Sequence, residues 1–552
     1  MSNMKLNIKN ILKVSLCVFS FSSLCVLATG CGSQFFIKHY NTKNATLKIS
    51  KTEKTSGNVI KPDDVTLTNT IPELVKNKAH EFSYLYQSGE SIDVLVLPIH
   101  FKNNCNTLLE DEIKANIDAS LNGSTTKKVY PTSVKEFYSK SSFGKINLNF
   151  VVADWFTFSN SKNIQSQDDV NNLIDIASKS AKQKGEKIDL KKFDKNNDGF
   201  IDAVWAIYDM PNYTHNPSES GNDLFWAYTI SRPNIKNNNK IPVPRSYSFA
   251  SYDFMDGYSD AINARTYIHE TGHLFGLVDY YDYGNLYYPT AGFDMMDLNL
   301  FDHNAYSKMT LGWMKPYVVY GDAIINEEEF KNSNSCIVIL EDEKELNYDS
   351  NDNFIFSPAK EYMLIDYFDA SESSLNYFDL VNESEQENLP EINITKSGYR
   401  LYHIDSRLLS IKENITTVTG EFYNSSIPLN SSQKCIKAIL NSSSEALVNE
   451  QFYLKLFGLD DLINASVNYY NEATLIAANS DKLNQSYSDL YYTYNSSTQE
   501  KKRTPLTDDI LFKSGDKFKP NLVFSRYFVN GGYDSYFCFN DINETFSTSI
   551  EF

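Results

Sequence analysis

Histidine is scarce in this chain of 552 residues, with eight copies, and cysteine scarcer still, with seven. No two cysteines stand in Cys-x-x-Cys spacing, which argues against a zinc site built from thiolates. Positive charge is also in deficit: Lys and Arg number 51 against 70 Asp and Glu, a net charge of −19. Such a surface repels phosphate backbones, so the chain reads as one with no nucleic-acid partner. No internal repeat is visible, which argues against a solenoid or propeller. With 41% hydrophobic and 22% charged residues, a collagen-like, wholly disordered or multi-span membrane chain is excluded. The length suits two or three globular domains.

The N-terminus carries Lys5, Lys9 and Lys13 with no acid among them, then an apolar run from Val14 to Ala28. The run is shorter than the ~20 residues of a spanning helix. It ends in Leu27-Ala28-Thr29-Gly30-Cys31, and small residues after a basic start and an apolar core make an export signal. Small residues directly before a cysteine resemble a bacterial lipoprotein signal, with Ala28 where Leu is usual. That resemblance implies cleavage before Cys31, lipidation of its thiol, and an anchor at the outer face of a membrane, or secretion if the cysteine is not used. Residues 1–31 are thus expected to be a lipoprotein-type signal. Of the other cysteines, Cys17 and Cys25 leave with it, and Cys105, Cys336, Cys435 and Cys538 lie far apart.

Residues 32–90 are polar and weakly patterned and read as a tether and N-terminal arm. Regular structure is expected from the buried-strand run Ile92–Leu97 onward. Helical spacing at 134–138 and 170–183 alternates with strand candidates at 146–151 and 203–208. After about 316 short β-type runs dominate, at 337–340, 362–365 and 399–402. The expected fold class is therefore α+β: a catalytic domain over 91–316, then a β-rich, β-sandwich-like region over 317–552 with an insertion at 440–515.

One segment carries chemistry, His269-Glu270-Thr271-Gly272-His273-Leu274-Phe275-Gly276-Leu277-Val278-Asp279. On a helix, positions i and i+4 share a face, so His269 and His273 aim two imidazoles at one point. Zinc accepts two such nitrogens, and Glu270, next to the first, is placed to act as general base toward a water that the metal activates. A third ligand is needed. No Glu occurs between Thr271 and Asn326, so a glutamate on a later helix is poorly supported. Gly276 can take positive φ and stop the helix, and Asp279 then falls six residues past His273. Asp282 and His303 are weaker candidates. Further on, Gly292-Phe293-Asp294-Met295-Met296-Asp297 resembles the methionine-containing turn that metzincins carry under the metal, which implies Met296, or less so Met295, as a soft apolar floor for the imidazoles. Tyr306 is a conjectural oxyanion partner.

His-Glu-x-x-His-x-x-Gly-x-x-Asp resembles the metzincin pattern with Asp as third ligand. The wider chain resembles the immune inhibitor A family of secreted zinc metallopeptidases. The likeness runs through Asp93–Leu97, Ser133–Ile146, Phe193–Asp202, Asp223–Ala227, Asn304–Trp313, Glu361–Ile365 and Gly398–Asp405, covering about 91–410. It implies a metzincin-like catalytic domain, one catalytic zinc held by His269, His273 and Asp279, Glu270 as base, endopeptidase activity on a protein or peptide, and often structural calcium. For calcium, Asp194, Asn196, Asp198 and Asp202 take positions 1, 3, 5 and 9 of an EF-hand-like loop. Position 12 is Trp205, so only a partial oxygen cage remains; the competing reading is a polar Asn-Asp-Gly turn. Tyr281 and Tyr283 are candidate subsite residues. In a zymogen, Asp63 or Asp64 of the arm would be candidates to cap the zinc. The rival from another class is an inactive surface adhesin or binding lipoprotein, and the joint presence of His269, Glu270, His273 and Asp279 argues against it.

Overall fold

The computed structural model describes residues 45–76, 85, 91–103, 110–213, 223–232, 235–237, 241–256, 261–280, 290, 292–340, 346–358, 360–371, 373–376, 392–405, 506–518 and 549–552, with strand segments at 411–412, 417–420, 425–428, 435–436, 473–476, 492–495, 500–503, 525–530 and 533–538. The signal segment with Cys31, Cys105, the stretch holding Tyr281, Asp282 and Tyr283, and most of 440–505 lie outside the described residues. Among the described residues no helix is long and apolar enough to cross a membrane.

Helices and strands mix along the chain and organise around two sheets. In the first, Ser91–Phe101 pairs in parallel with Asn147–Val152 on one side and Val204–Tyr208 on the other. Ser246–Ser251 follows in parallel, and Tyr228–Ser231 adds antiparallel beyond it. Both faces of this sheet are covered, so its central strands read as unbroken apolar runs. Val94, Val96, Trp205 and Ile207 join a core with Ile117, Phe137 and Ile268. Leu95, Leu97, Val204 and Ala206 join another with Val170, Leu173 and Ile174 of the helix Gln167–Ser180. Helix starts carry their own signals. Ser133 accepts from Glu136 N and Ser166 from Asp169 N, each satisfying a donor that the first turn leaves unpaired.

The second sheet has nine strands. Its spine is Pro316–Asn326, Cys336–Ile339, Glu361–Phe368 and Gly398–Asp405. The first two are parallel, joined through the short helix Glu327–Asn332. In the region read from sequence as sandwich-like, the described strands form this one mixed sheet and separate two-stranded pairs. The run Cys336–Ile339 has no period because alternate residues enter different cores, Cys336 and Val338 one, Ile337 and Ile339 the other. The face carrying Val338, Leu364 and Tyr402 shares its core with the first sheet, so the two regions are continuous.

Two corrections concern the segments read as peripheral. The arm is not a tether over its described part. Thr46–Ser50 lies in the second sheet, parallel to both Pro316–Asn326 and Ser549–Glu551, and Ser56–Ile60 pairs with Pro316–Asn326. Leu47 and Ile49 are buried there; only two apolar residues among Lys, Thr and Ser carry the strand, too few to stand out. The end of the presumed insertion is also core: Leu506, Ile510 and Leu511 are buried, and Phe512 exchanges backbone hydrogen bonds with Tyr399. Cys336 is a buried free thiol.

Candidate metal centre

The motif forms a helix, Arg265–Leu274. Its back is fixed to the first sheet and its neighbours: Trp205 Nε1 donates to Thr271 Oγ1 (3.1 Å), Tyr138 Oη to Ile268 O (2.7 Å) and Tyr267 Oη to Ser251 O (2.6 Å). The helix ends in a Schellman turn. Gly276 has φ of 96°, its N–H donates to His273 O at 2.9 Å, and Leu277 N donates to Gly272 O at 3.0 Å. This bend reverses the chain and returns Asp279 to the helix face carrying the histidines.

Asp279 Oδ1 stands 3.0 Å from His269 Nε2 and 3.2 Å from His273 Nε2. Among the described residues this is the one group of three or more His, Cys, Asp or Glu whose ligand atoms all lie within 4.8 Å of one another. A tetrahedral shell with ligands at ~2.0–2.1 Å has edges of about 3.3 Å, which the two Asp279–His spacings approach. The far sides of both rings are also committed. His269 Nδ1 bonds to Met295 O (2.9 Å) and His273 Nδ1 to Leu277 O (2.8 Å). A carbonyl acceptor places the proton on Nδ1 and turns the Nε2 lone pair toward the common point, as metal-ligating histidines require. The donor set and its outer partners thus fit a zinc ion.

Without metal the same contacts form an ion pair. Burial opposes a charged His273, but the adjacent Asp279 carboxylate raises its pKa to about 9. For Asp279, burial pushes upward, and the two imidazoles overcome it and hold the carboxyl well below its ordinary range.

Glu270 is 5% exposed. Its Oε2 accepts from Thr229 Oγ1 at 2.8 Å, and Thr229 in turn contacts Ser248 Oγ at 2.7 Å. Thr229 sits on the antiparallel strand Tyr228–Ser231, so the first sheet holds the candidate base. Nothing local marks Thr229; forty-one residues separate it from Glu270. Beneath the helix, a Cβ on Gly272 would fall 2.5 Å from Met296 Sδ and 3.2 Å from Tyr138 Oη. The methionine therefore packs directly on the helix, and only glycine admits it so close. Met296 O also accepts from Tyr280 N (2.9 Å), pinning the chain just past Asp279.

Other expected residues do not join this cluster. His303 is 1% exposed against Phe137, Tyr138 and Trp313, neither ring nitrogen has a hydrogen-bond partner, and burial holds its pKa down to about 3. Asp63 and Asp64 are exposed in a turn leaving the second sheet. Tyr306 is buried in the core shared by the two sheets. The Asp194–Asp202 loop satisfies itself: Asp194 accepts from the N–H groups of Asp198 and Gly199, Asp198 from Phe200, and Asp202 from Lys195. Burial raises the Asp202 carboxyl to about 8. Asn197 and Gly199 supply the positive φ of an Asn-Asp-Gly turn.

No family model matches the chain, and no curated protein matches its sequence.

Proposed function

We propose that this chain is an exported, lipid-anchored zinc-dependent endopeptidase of metzincin-like type, related to the immune inhibitor A family by the motifs quoted above. The observation that carries the reading is the convergence of His269 Nε2, His273 Nε2 and Asp279 Oδ1, with both Nδ1 atoms tied to carbonyls and Glu270 next along the helix. These three residues would hold a zinc ion, which would supply Lewis-acid chemistry toward a scissile carbonyl and a water.

The chain's own residues do the rest. Thr229 fixes Glu270 Oε2, which orients the carboxylate and leaves Oε1 to take a proton from an attacking water. Glu270 then returns that proton to the departing amine. The buried surroundings of Glu270 exclude bulk water and strengthen each of these interactions. The strand Tyr228–Ser231, which carries Thr229, lies beside the reacting groups. The net negative charge disfavours a nucleic-acid partner.

The test is metal analysis with a casein digest of wild type and Glu270→Gln. Wild type is expected to bind one zinc and cleave; the variant is expected to keep zinc and lose activity by ~10²–10⁴-fold. Equal cleavage by both, or a wild type that takes up no zinc, would sink the reading.

A further inference from the structure

We infer that Arg400, on the second sheet, is a positioning residue for the metal ligand His269, acting through the backbone of Phe293–Met295. This rests on the metal-centre reading above.

Arg400 is 3% exposed and Asp366, facing it from the neighbouring strand, 4%. Nε and Nη2 of Arg400 donate to Asp366 Oδ1 and Oδ2, both at 2.7 Å, while Nη1 donates to Phe293 O at 2.8 Å. Two residues on, Met295 O accepts from His269 Nδ1. The intervening Asp294 is held at both oxygens: Oδ1 accepts from Met296 N (2.7 Å) and Oδ2 from Asn304 N (2.6 Å). The next residue, Ala305, donates its N–H back to Asp366 Oδ2 at 3.1 Å.

These bonds close a ring running Arg400, Phe293, Asp294, Asn304, Ala305, Asp366 and back to Arg400. Met295 hangs from it, and its carbonyl sets the height and tilt of the His269 imidazole. A buried ion pair alone is a weak stabiliser, since an apolar pair of similar volume is often as good or better. What an apolar pair cannot do is grip the Phe293 carbonyl while bridging to Ala305. Lysine cannot do it either, because it lacks the planar fork that serves three acceptors at once. The second sheet is then part of the metal centre's frame. The role differs from mere gluing of two regions, because it predicts a changed ligand field in a folded protein.

The test uses the full chain as wild type, as Arg400→Lys, and as the double variant Arg400→Met with Asp366→Leu, which leaves no orphaned charge. Each is loaded with Co(II) for its visible d–d absorption, and zinc affinity is measured by chelator competition. Circular dichroism and thermal melts of the metal-free proteins run in parallel. The expected result is folded variants with a shifted or weakened cobalt band and zinc affinity lowered ~10–100-fold, the usual cost of losing an outer partner of a ligand. A folded variant with the wild-type cobalt spectrum and unchanged zinc affinity overturns the inference. Should the double variant not fold, Arg400→Lys, which keeps the charge, decides by the same two readouts. A wild type that takes up neither metal overturns the metal-centre reading and this inference with it, and that failure shows before any variant is made.

Discussion

At the scale of single residues, the motif's chemistry depends on partners that lie far off in the chain. Glu270 is held by Thr229, and Thr229→Val removes the hydroxyl at nearly constant shape. On the proposed mechanism, kcat of the zinc-loaded variant is expected to fall ~10–100-fold with KM little changed, because one charge-assisted hydrogen bond of roughly 1.5–3 kcal/mol to Glu270 is lost. Steady-state peptide cleavage at matched zinc content checks it. The His273–Asp279 pair makes a second prediction. In the metal-free protein His273 holds its proton up to about pH 9, and a metal binds only the neutral ring. Apparent zinc affinity should therefore climb roughly tenfold per pH unit from pH 7 and level off near the raised pKa, with a proton released on binding. An imidazole with an ordinary pKa would level off near ~6.5. Chelator competition across pH 6–10 separates the two profiles.

The elements show why a short motif is sufficient to define a site. Two histidines one helical turn apart converge wherever the helix forms, and the glycine three residues after the second decides where the chain goes next. Gly276→Ala puts a Cβ into a left-handed conformation, which costs about 1–2 kcal/mol. The expected outcome is a lower denaturant midpoint together with weaker zinc binding, since both Leu277 O and Asp279 depend on that turn; unchanged zinc binding at reduced stability would detach the turn from the site. In the Asp194–Asp202 loop the carboxylates accept from the loop's own N–H groups, which fixes the turn.

For the molecule as a whole, the polar N-terminal segment is a structural part of the second sheet. Leu47, Ile49, Val65 and Ile71 are all buried. At ~1.5–3 kcal/mol each, the four side chains contribute on the order of 6–12 kcal/mol, comparable with the ~5–15 kcal/mol net stability of a typical domain. A chain beginning at residue 91 is therefore expected to be insoluble or to lack a cooperative melt. A cooperative wild-type-like melt from residue 91 onward would show that the arm is dispensable.

The amino-acid sequence by itself determined the local features: the apolar runs that become strands around Ser91–Phe101 and Cys336–Ile339, the helix that pairs His269 with His273, and the glycine that ends it. Each needs only neighbours within a few residues, so its signal survives in a linear reading. Only the tertiary structure decided that Thr229 holds Glu270, that Met295 O orients His269, that Arg400 grips Phe293, and that Thr46–Ser50 lies between Pro316–Asn326 and Ser549–Glu551. Those contacts join positions from 26 to more than 270 residues apart. They arise because burying two sheets on one shared core brings polar groups together, and each such group must then find a partner wherever the chain supplies one.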